Sequence, residues 1–439
     1  MEMDRLAAQN PWWGRREAIT EDEKVVKVLE TGEKIAFELG EGNQVLIGPR
    51  QLGKTTALKY DIYRRIMREG ADPGSILYYT FDTSRSFEDV ADVISTFAER
   101  DGTLFLYLDE VGFVDQWQRA IKGFLDSQAS RKATLYVTGS SSINLKKELM
   151  PGRGIRFKEF LPLSFREFVS SFGSGRLREA VTAKAARDLN AARRAAESMA
   201  THFAEIQRLF GMYMSTGGYP DAIFDYMERG SVSDELYDTH WNAFVSDVSK
   251  AGRSVEISTA IVYGILESYA SKINLSGIAR MQGVKSHVTV REYLETFEDL
   301  FVASSIFPVA GRRYAFRKER KVYFSDPFLY GMFARKANFA DRERESKVAE
   351  GILYNHLHRF ANRGRTLAEP KTAIGFHSGK REVDFVIGGT GIELKWRDKV
   401  GVEDFPEVGI NDRLLLSKKT LKNEGKTVIL PLPLFLAAL

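Results

Sequence analysis

Three groups of residues in this sequence have the types and spacing to do chemistry. The first lies in Gln44–Leu58, QVLIGPRQLGKTTAL. An apolar run, Val45-Leu46-Ile47, leads into Gly48-Pro49-Arg50-Gln51-Leu52-Gly53-Lys54-Thr55, which fits G-x-x-x-x-G-K-[ST], and helix-compatible sequence follows. Gly48 and Gly53 let the backbone wrap closely enough to aim N–H groups at phosphate oxygens. Lys54 offers a point charge for β- and γ-phosphates, the Thr55 hydroxyl can join a magnesium shell, and the helix adds its positive end. Gly48 through Thr56 are therefore the candidate contacts to Mg-ATP.

The second group completes that chemistry. The run Thr103–Leu108 ends in Asp109-Glu110. At the C-terminal edge of a parallel sheet, Asp109 would hold magnesium through water and Glu110 would polarise the attacking water. The next apolar run, Ala133–Thr138, ends in hydroxyls. Placed between the two earlier strands, it would bring Thr138 or Ser140 near the γ-phosphate as a polar sensor; a plain serine-rich loop is the alternative. The third group is C-terminal. Arg381–Ile387, a four-residue turn Gly-Gly-Thr-Gly391 and Ile392–Trp396 read as a β-hairpin. Alternation puts Glu393 and Lys395 on one face, with Asp384 of the paired strand within reach. Two carboxylates and a lysine suit a magnesium-dependent phosphodiesterase, but a polar strand face with these residues is common, and hairpin register decides whether they meet.

The elements that must position these groups alternate between strand and helix from Glu23 to Ser140, which predicts a parallel sheet with helices on both faces. Helices are expected over Glu23–Leu39, Thr56–Glu69 and Phe87–Arg100. A chain of 439 residues predicts about two to four domains. Our boundaries are 1–20 for an arm, 21–165 for the nucleotide domain, 166–254 for a helical region, 255–335 for a winged helix and 336–439 for a small α/β domain. Trp12-Trp13 should fold the arm back on the nucleotide domain or onto another subunit. Arg176–Ala200 reads as one long helix with a solvated basic face. In the winged helix, Arg312, Arg313, Arg317, Lys318, Arg320 and Lys321 surround Tyr314 and Phe316, so the wing at 312–321 is the candidate contact to a DNA backbone. Its presumed recognition helix sets Arg291 against Glu292, Glu295, Glu298 and Asp299, too acidic for a major groove. A protein-contact or lid role is the equal alternative.

Composition excludes several classes. With 44% hydrophobic and 28% charged residues the chain reads as soluble and globular, and zero cysteines exclude disulfides and thiolate sites. His356 and His358, at i, i+2 on a helix, point apart and are expected at the surface. A net charge of +4 does not by itself imply nucleic acid. The longest apolar runs, such as Leu432–Leu439, fall short of the roughly 20 residues that span a bilayer, and no apolar leader opens the chain, so a cytoplasmic protein without membrane contact is expected.

GPRQLGKTT, LYLDE and VTGSSS, with Gly152-Arg153 and LPLSFREF at 161–168, resemble an AAA-type ATPase family of archaea and bacteria. In that family a winged-helix region and a restriction-nuclease-like domain follow the ATPase. GGYPDAI (217–223), RKVYFSDPFL (320–329), EVDFVI (382–387) and IELKW (392–396) extend the resemblance over nearly the whole chain. It implies an α/β P-loop parallel-sheet ATPase domain using Lys54, Thr55, Asp109 and Glu110. It also implies Arg153 as a γ-phosphate arginine, acting in its own chain or on a neighbour, which leaves a homo-oligomer open; a solvated arginine beside Arg156 and Lys158 is the alternative. The hairpin resembles the PD-(D/E)XK pattern, with Asp384, Glu393 and Lys395 as D, E and K, and with Glu350 as the helical glutamate beside the metal. Val383 departs from the pattern's proline. The function implied is ATP hydrolysis coupled to a nucleic-acid-binding, nuclease-like C-terminal domain. An ATP-dependent switch or scaffold whose nuclease-like fold only binds is the alternative, and a ring-forming motor is a third.

Overall fold

The computed structural model describes residues 3–35, 37–83, 86–140, 154–182, 186–310, 313–314, 319–363 and 374–439. The chain divides into two compact units, Met1–Leu161 and a second comprising Pro162–Arg365 with Pro370–Leu439. Four apolar runs and one alternating run make the sheet of the first unit. They are β1 (Asn43–Ile47), β2 (Ile76–Thr80), β3 (Leu104–Asp109), β4 (Ala133–Gly139) and β5 (Ile155–Glu159), in the order β2-β3-β4-β1-β5 and parallel throughout. Continuous burial along β1 to β4 follows from helices on both faces, whereas β5, at an edge, alternates between half-buried and exposed. β4 lies between β1 and β3, as the hydroxyl-ended run required.

Helices Lys54–Tyr63, Phe87–Ala98 and Trp117–Leu125 connect the strands. The first passes into a π-helical turn, Arg64–Arg68, so the expected Thr56–Glu69 helix changes pitch near its end. The helix expected over Glu23–Leu39 stops at Glu30, because Gly32 (φ 66°) and Glu33 (φ 55°) take left-handed conformations that a right-handed helix cannot continue. Trp12 is buried in the core of this unit with Leu46, Leu58 and Tyr107, so the arm folds onto its own nucleotide domain.

The second unit is helical from Phe165 to Asp299 and then builds one mixed sheet. Its strands are β6 (Ala303–Ala310), β7 (Arg313–Tyr314), β8 (Lys321–Phe324), β9 (Gly375–His377), β10 (Val383–Ile387), β11 (Thr390–Lys395), β12 (Asp412–Ser417), β13 (Lys422–Glu424) and β14 (Thr427–Pro431). The order among the described residues is β13-β14-β12-β11-β10-β9-β6-β7, with β8 paired to β6. β6 runs parallel to β9, so one sheet passes across the boundary expected near residue 335. Helices Val255–Glu267, Leu275–Met281 and His287–Asp299 precede β6. Of the basic hairpin, Arg312, Phe316, Arg317 and Lys318 lie outside the described residues.

Several local expectations change. Arg176–Ala200 is not one helix: Gly175–Thr182 and Leu189–Ser198 are separate, and Asp188 caps the second by accepting the Ala191 N–H. The β10–β11 turn is two residues, Gly388-Gly389, at φ 56° and 90°, because two left-handed residues match the twist of a hairpin better than a four-residue loop. Leu432–Ala438 is a fully buried core helix. His356 is buried, not surface: its Nε2 accepts the Phe165 N–H at 2.7 Å while Nδ1 donates to the Ile352 carbonyl at 2.7 Å. Burial, and then the charge of Arg359, push its pKa down to about 3, so it stays neutral.

Candidate functional site

The ends of β1, β3 and β4 carry the residues singled out for nucleotide chemistry. After β1 the chain must turn hard to start a helix, and Gln51 (φ 62°) and Gly53 (φ 90°) are both left-handed. Glycine is needed at two points for different reasons. A Cβ at Gly48 would lie 1.8 Å from the Phe160 carbonyl oxygen, and one at Gly53 would meet the Phe37 ring at 2.7 Å. Leu52 anchors the loop in the core, and Thr56 lies in the first turn of the helix that Lys54 opens. The Arg50 guanidinium lies 4.0 Å from Asp82. Lys54 is buried and folds back over its own loop, its Nζ donating to the carbonyls of Gly48 (2.9 Å) and Pro49 (2.7 Å).

Asp109 is the hub. Its Oδ2 accepts the Thr55 hydroxyl at 2.7 Å and the Tyr78 hydroxyl at 2.9 Å, while Oδ1 accepts the Thr138 hydroxyl. Thr138 in turn accepts the Glu110 N–H at 3.0 Å. Glu110 sits at φ 56°, ψ 37°, a left-handed conformation costing a non-glycine residue about 1–3 kcal/mol. Its Oε2 is buried and has no hydrogen-bond partner among the described residues. The Ser140 hydroxyl, also fully buried, is in the same condition. Buried polar atoms left unsatisfied mark a place where a polar ligand or water completes the bonding. A backbone strained to hold a carboxylate there has the character of a functional site. Thr55 against Asp109 fits a magnesium ion held by a hydroxyl, phosphate oxygens and water bridged to a carboxylate. Arg153 lies outside the described residues.

The sheet of the second unit brings the other candidates together. β10 and β11 pair with Phe385 opposite Ile392, which places Asp384 beside Glu393. The Asp384 N–H donates to Glu393 Oε2 at 3.1 Å, the Leu394 N–H donates to Asp384 Oδ2 at 2.9 Å, and Lys395 reaches Glu393 Oε1 at 2.5 Å. A residue that sequence reasoning assigned to the wing completes the group. Lys321, 1% exposed, sets its ammonium 3.1 Å from Glu350, 2.8 Å from Glu382 and 3.5 Å from Asp384. Burial alone would lower its pKa, but Glu350, Asp384 and Glu382 more than offset this and hold it above its ordinary range. Burial and the charge of Asp384 raise both Glu350 and Glu393 well above the usual carboxylate range. No three histidine or acidic side chains among the described residues are arranged to hold a metal ion. As arranged, Glu350, Asp384 and Glu393 do not fit the divalent ion expected of them, because a lysine lies between two of them.

The loop-to-helix turn, the Asp109–Glu110 pair and the hydroxyl-ended strand match a family model described as AAA domain over residues 41–169. The chain carries an AAA-type P-loop domain. A second model, described only as a domain of unknown function (DUF8612), matches residues 207–339. No curated protein matches the sequence. Among solved structures, the ORC1 protein of Aeropyrum pernix in complex with DNA is 13% identical, with 74% of this chain and 93% of that one covered at a TM-score of 0.31. The ORC2 protein of Aeropyrum pernix, in ADPNP–ADP complexes, is 15% identical over 75% of this chain and 94% of that one, with a TM-score of 0.32. The RuvB Holliday junction branch migration motor of Thermotoga maritima is 15% identical over 66% and 88%, with a TM-score of 0.25. Overlaps of that size carry no inference to this chain. No helix among the described residues of this AAA-domain protein is long and apolar enough to cross a membrane.

Proposed function

We propose that this protein binds and hydrolyses Mg-ATP at the ends of β1, β3 and β4, and that nucleotide state switches a nuclease-like second unit that binds rather than cuts. The observation that supports hydrolysis is Glu110, whose buried carboxylate oxygen has no partner among the described residues and which lies one residue beyond an aspartate bonded to the P-loop threonine. Lys54 leaves its two loop carbonyls for the β- and γ-phosphates. Thr55 and Asp109 would hold magnesium, which would supply charge screening at the phosphates. Glu110 takes a proton from the attacking water, and Ser140 donates to the γ-phosphate. Arg153, from this chain or from a second copy in a homo-oligomer, is the proposed arginine. Steady-state phosphate release tests this. Wild type should turn over ATP, and Lys54→Ala should lose nucleotide binding; a wild type with no turnover would refute hydrolysis.

The second reading is ATP-gated, magnesium-dependent strand cleavage by Asp384, Glu393 and Lys395. Lys321 favours binding over cleavage, because an ammonium already neutralises the carboxylates that a metal would need. DNA, through the basic segment at 312–321 and the C-terminal sheet, is the proposed partner class. Incubation of DNA and RNA with magnesium or manganese, with and without ATP, separates the readings. Cleavage that disappears in Asp384→Asn would overturn ours.

A further inference from the structure

β2 is the free edge of the first unit's sheet, and it carries a residue outside the nucleotide motifs. An edge strand leaves alternate backbone groups unpaired. Here the arm covers them with side chains. The Ile76 carbonyl accepts Trp12 Nε1 at 3.3 Å and Trp13 Nε1 at 2.8 Å. The Tyr78 N–H donates to Asn10 Oδ1 at 2.7 Å and its carbonyl accepts Asn10 Nδ2 at 2.9 Å. The Thr80 N–H donates to Gln9 Oε1 at 3.0 Å. Four side chains, those of Gln9, Asn10, Trp12 and Trp13, thus take the place of a sixth strand.

Tyr78 is held on its other side as well. The Lys59 ammonium lies 3.8 Å from the centre of its ring, and Asp22 lies 3.3 Å from that ammonium. Fixed at backbone and ring, Tyr78 presents its hydroxyl to Asp109 Oδ2, the oxygen that Thr55 also contacts. When Mg-ATP binds, the Thr55 oxygen can meet magnesium through a lone pair while its O–H stays on Oδ2. Tyr78 on Oδ2 and Thr138 on Oδ1 are the donors with no part in holding the metal, so these two hydroxyls set the carboxylate plane.

We propose that Tyr78 is a positioning residue for Asp109, and that Asn10 of the N-terminal arm fixes Tyr78 in place. The inference rests on the Mg-ATP reading of this site. Hydrogen-bonding partners of metal-binding carboxylates act by orientation, and losing one typically costs 10- to 100-fold in metal affinity.

Tyr78→Phe keeps the ring beneath Lys59 and both bonds to Asn10 while deleting only the hydroxyl. The magnesium concentration giving half-maximal ATP hydrolysis should rise about tenfold or more. Affinity for ATP in the presence of a chelator, and the melting temperature without nucleotide, should not move. Asn10→Ala, which touches no group at the phosphates, should shift the magnesium midpoint in the same direction by less. A midpoint that stays put in Tyr78→Phe, with or without a lower melting temperature, overturns the proposal and leaves Tyr78 a packing residue. If wild type binds a fluorescent ATP analogue in a magnesium-dependent way but does not hydrolyse ATP, the same midpoints are read from binding. Hydrolysis would then be refuted while the positioning role is still decided. Should Tyr78→Phe not fold, Asn10→Ala decides: an unchanged midpoint refutes the link from arm to carboxylate.

Discussion

Glu110 and Lys321 are single residues whose surroundings fix what each unit can do. Glu110 is half-buried and left-handed, and its buried Oε2 has no hydrogen-bond partner among the described residues, a condition that calls for an explanation. Glu110→Gln keeps the shape and removes the proposed base. It should still bind Mg-ATP yet lose at least about 100-fold in turnover, as single-turnover phosphate release would show. Lys321 has the opposite character, since every contact it makes is already satisfied within the fold. Lys321→Met removes the cation from a buried carboxylate group and should cost about 3–5 kcal/mol in urea unfolding. Nucleotide-free Lys321→Met should then bind manganese, seen by electron paramagnetic resonance, and lose that binding when Asp384→Asn is added. No gain of manganese binding would mean that the lysine does not stand in for a metal. The P-loop and Asp109-Glu110 were readable because each is a short stretch whose chemistry is carried by neighbours in sequence. Lys321 was not, because its partners Glu350 and Asp384 lie 29 and 63 positions away.

At the scale of elements, the motifs GGYP and SDPF are explained by each other. Asp326 caps the helix Pro327–Lys336 by accepting the Phe328 N–H at 2.9 Å, and its other oxygen accepts the Gly218 N–H at 3.0 Å. The approach is so close that a Cβ at Gly217 would lie 1.6 Å from Asp326 Oδ1, and Gly217 has φ 56°, ψ −151°, a region open to glycine. Gly217→Ala should therefore destabilise the second unit by about 3 kcal/mol or more, measured by urea unfolding. An effect under about 1 kcal/mol would mean that the two segments separate easily. Sequence alone marked both motifs but not their meeting, which spans 108 positions. The hairpin was legible as a hairpin, while its two-residue turn depended on both glycines adopting left-handed angles.

At the scale of the whole molecule, pH acts on the second unit through buried groups with opposite signs. His356 is held down at about 3, below its unfolded value near 6.5, so the stability it contributes is full above pH 6.5 and is lost as pH falls toward 3. Burial raises Asp326 to about 7, so its contribution is full below pH 3.8 and is lost as pH rises through 7. Comparing wild type with His356→Gln cancels the aspartate. Wild type should lose stability relative to the variant by about 1.4 kcal/mol per pH unit between pH 6 and 4, read from hydrogen exchange of the second unit. Equal slopes would show that His356 is protonated without cost.

What the sequence determined alone was whatever depends on neighbours along the chain: the glycine turn between β1 and its helix, the acidic end of β3, and the alternation that makes a parallel sheet. The tertiary structure alone decided the burial of His356, the continuity of β6 with β9, the lysine among the C-terminal carboxylates and the tyrosine on Asp109. Each of these depends on groups far apart in sequence meeting at one register, and periodicity specifies which face a residue occupies without specifying what that face meets.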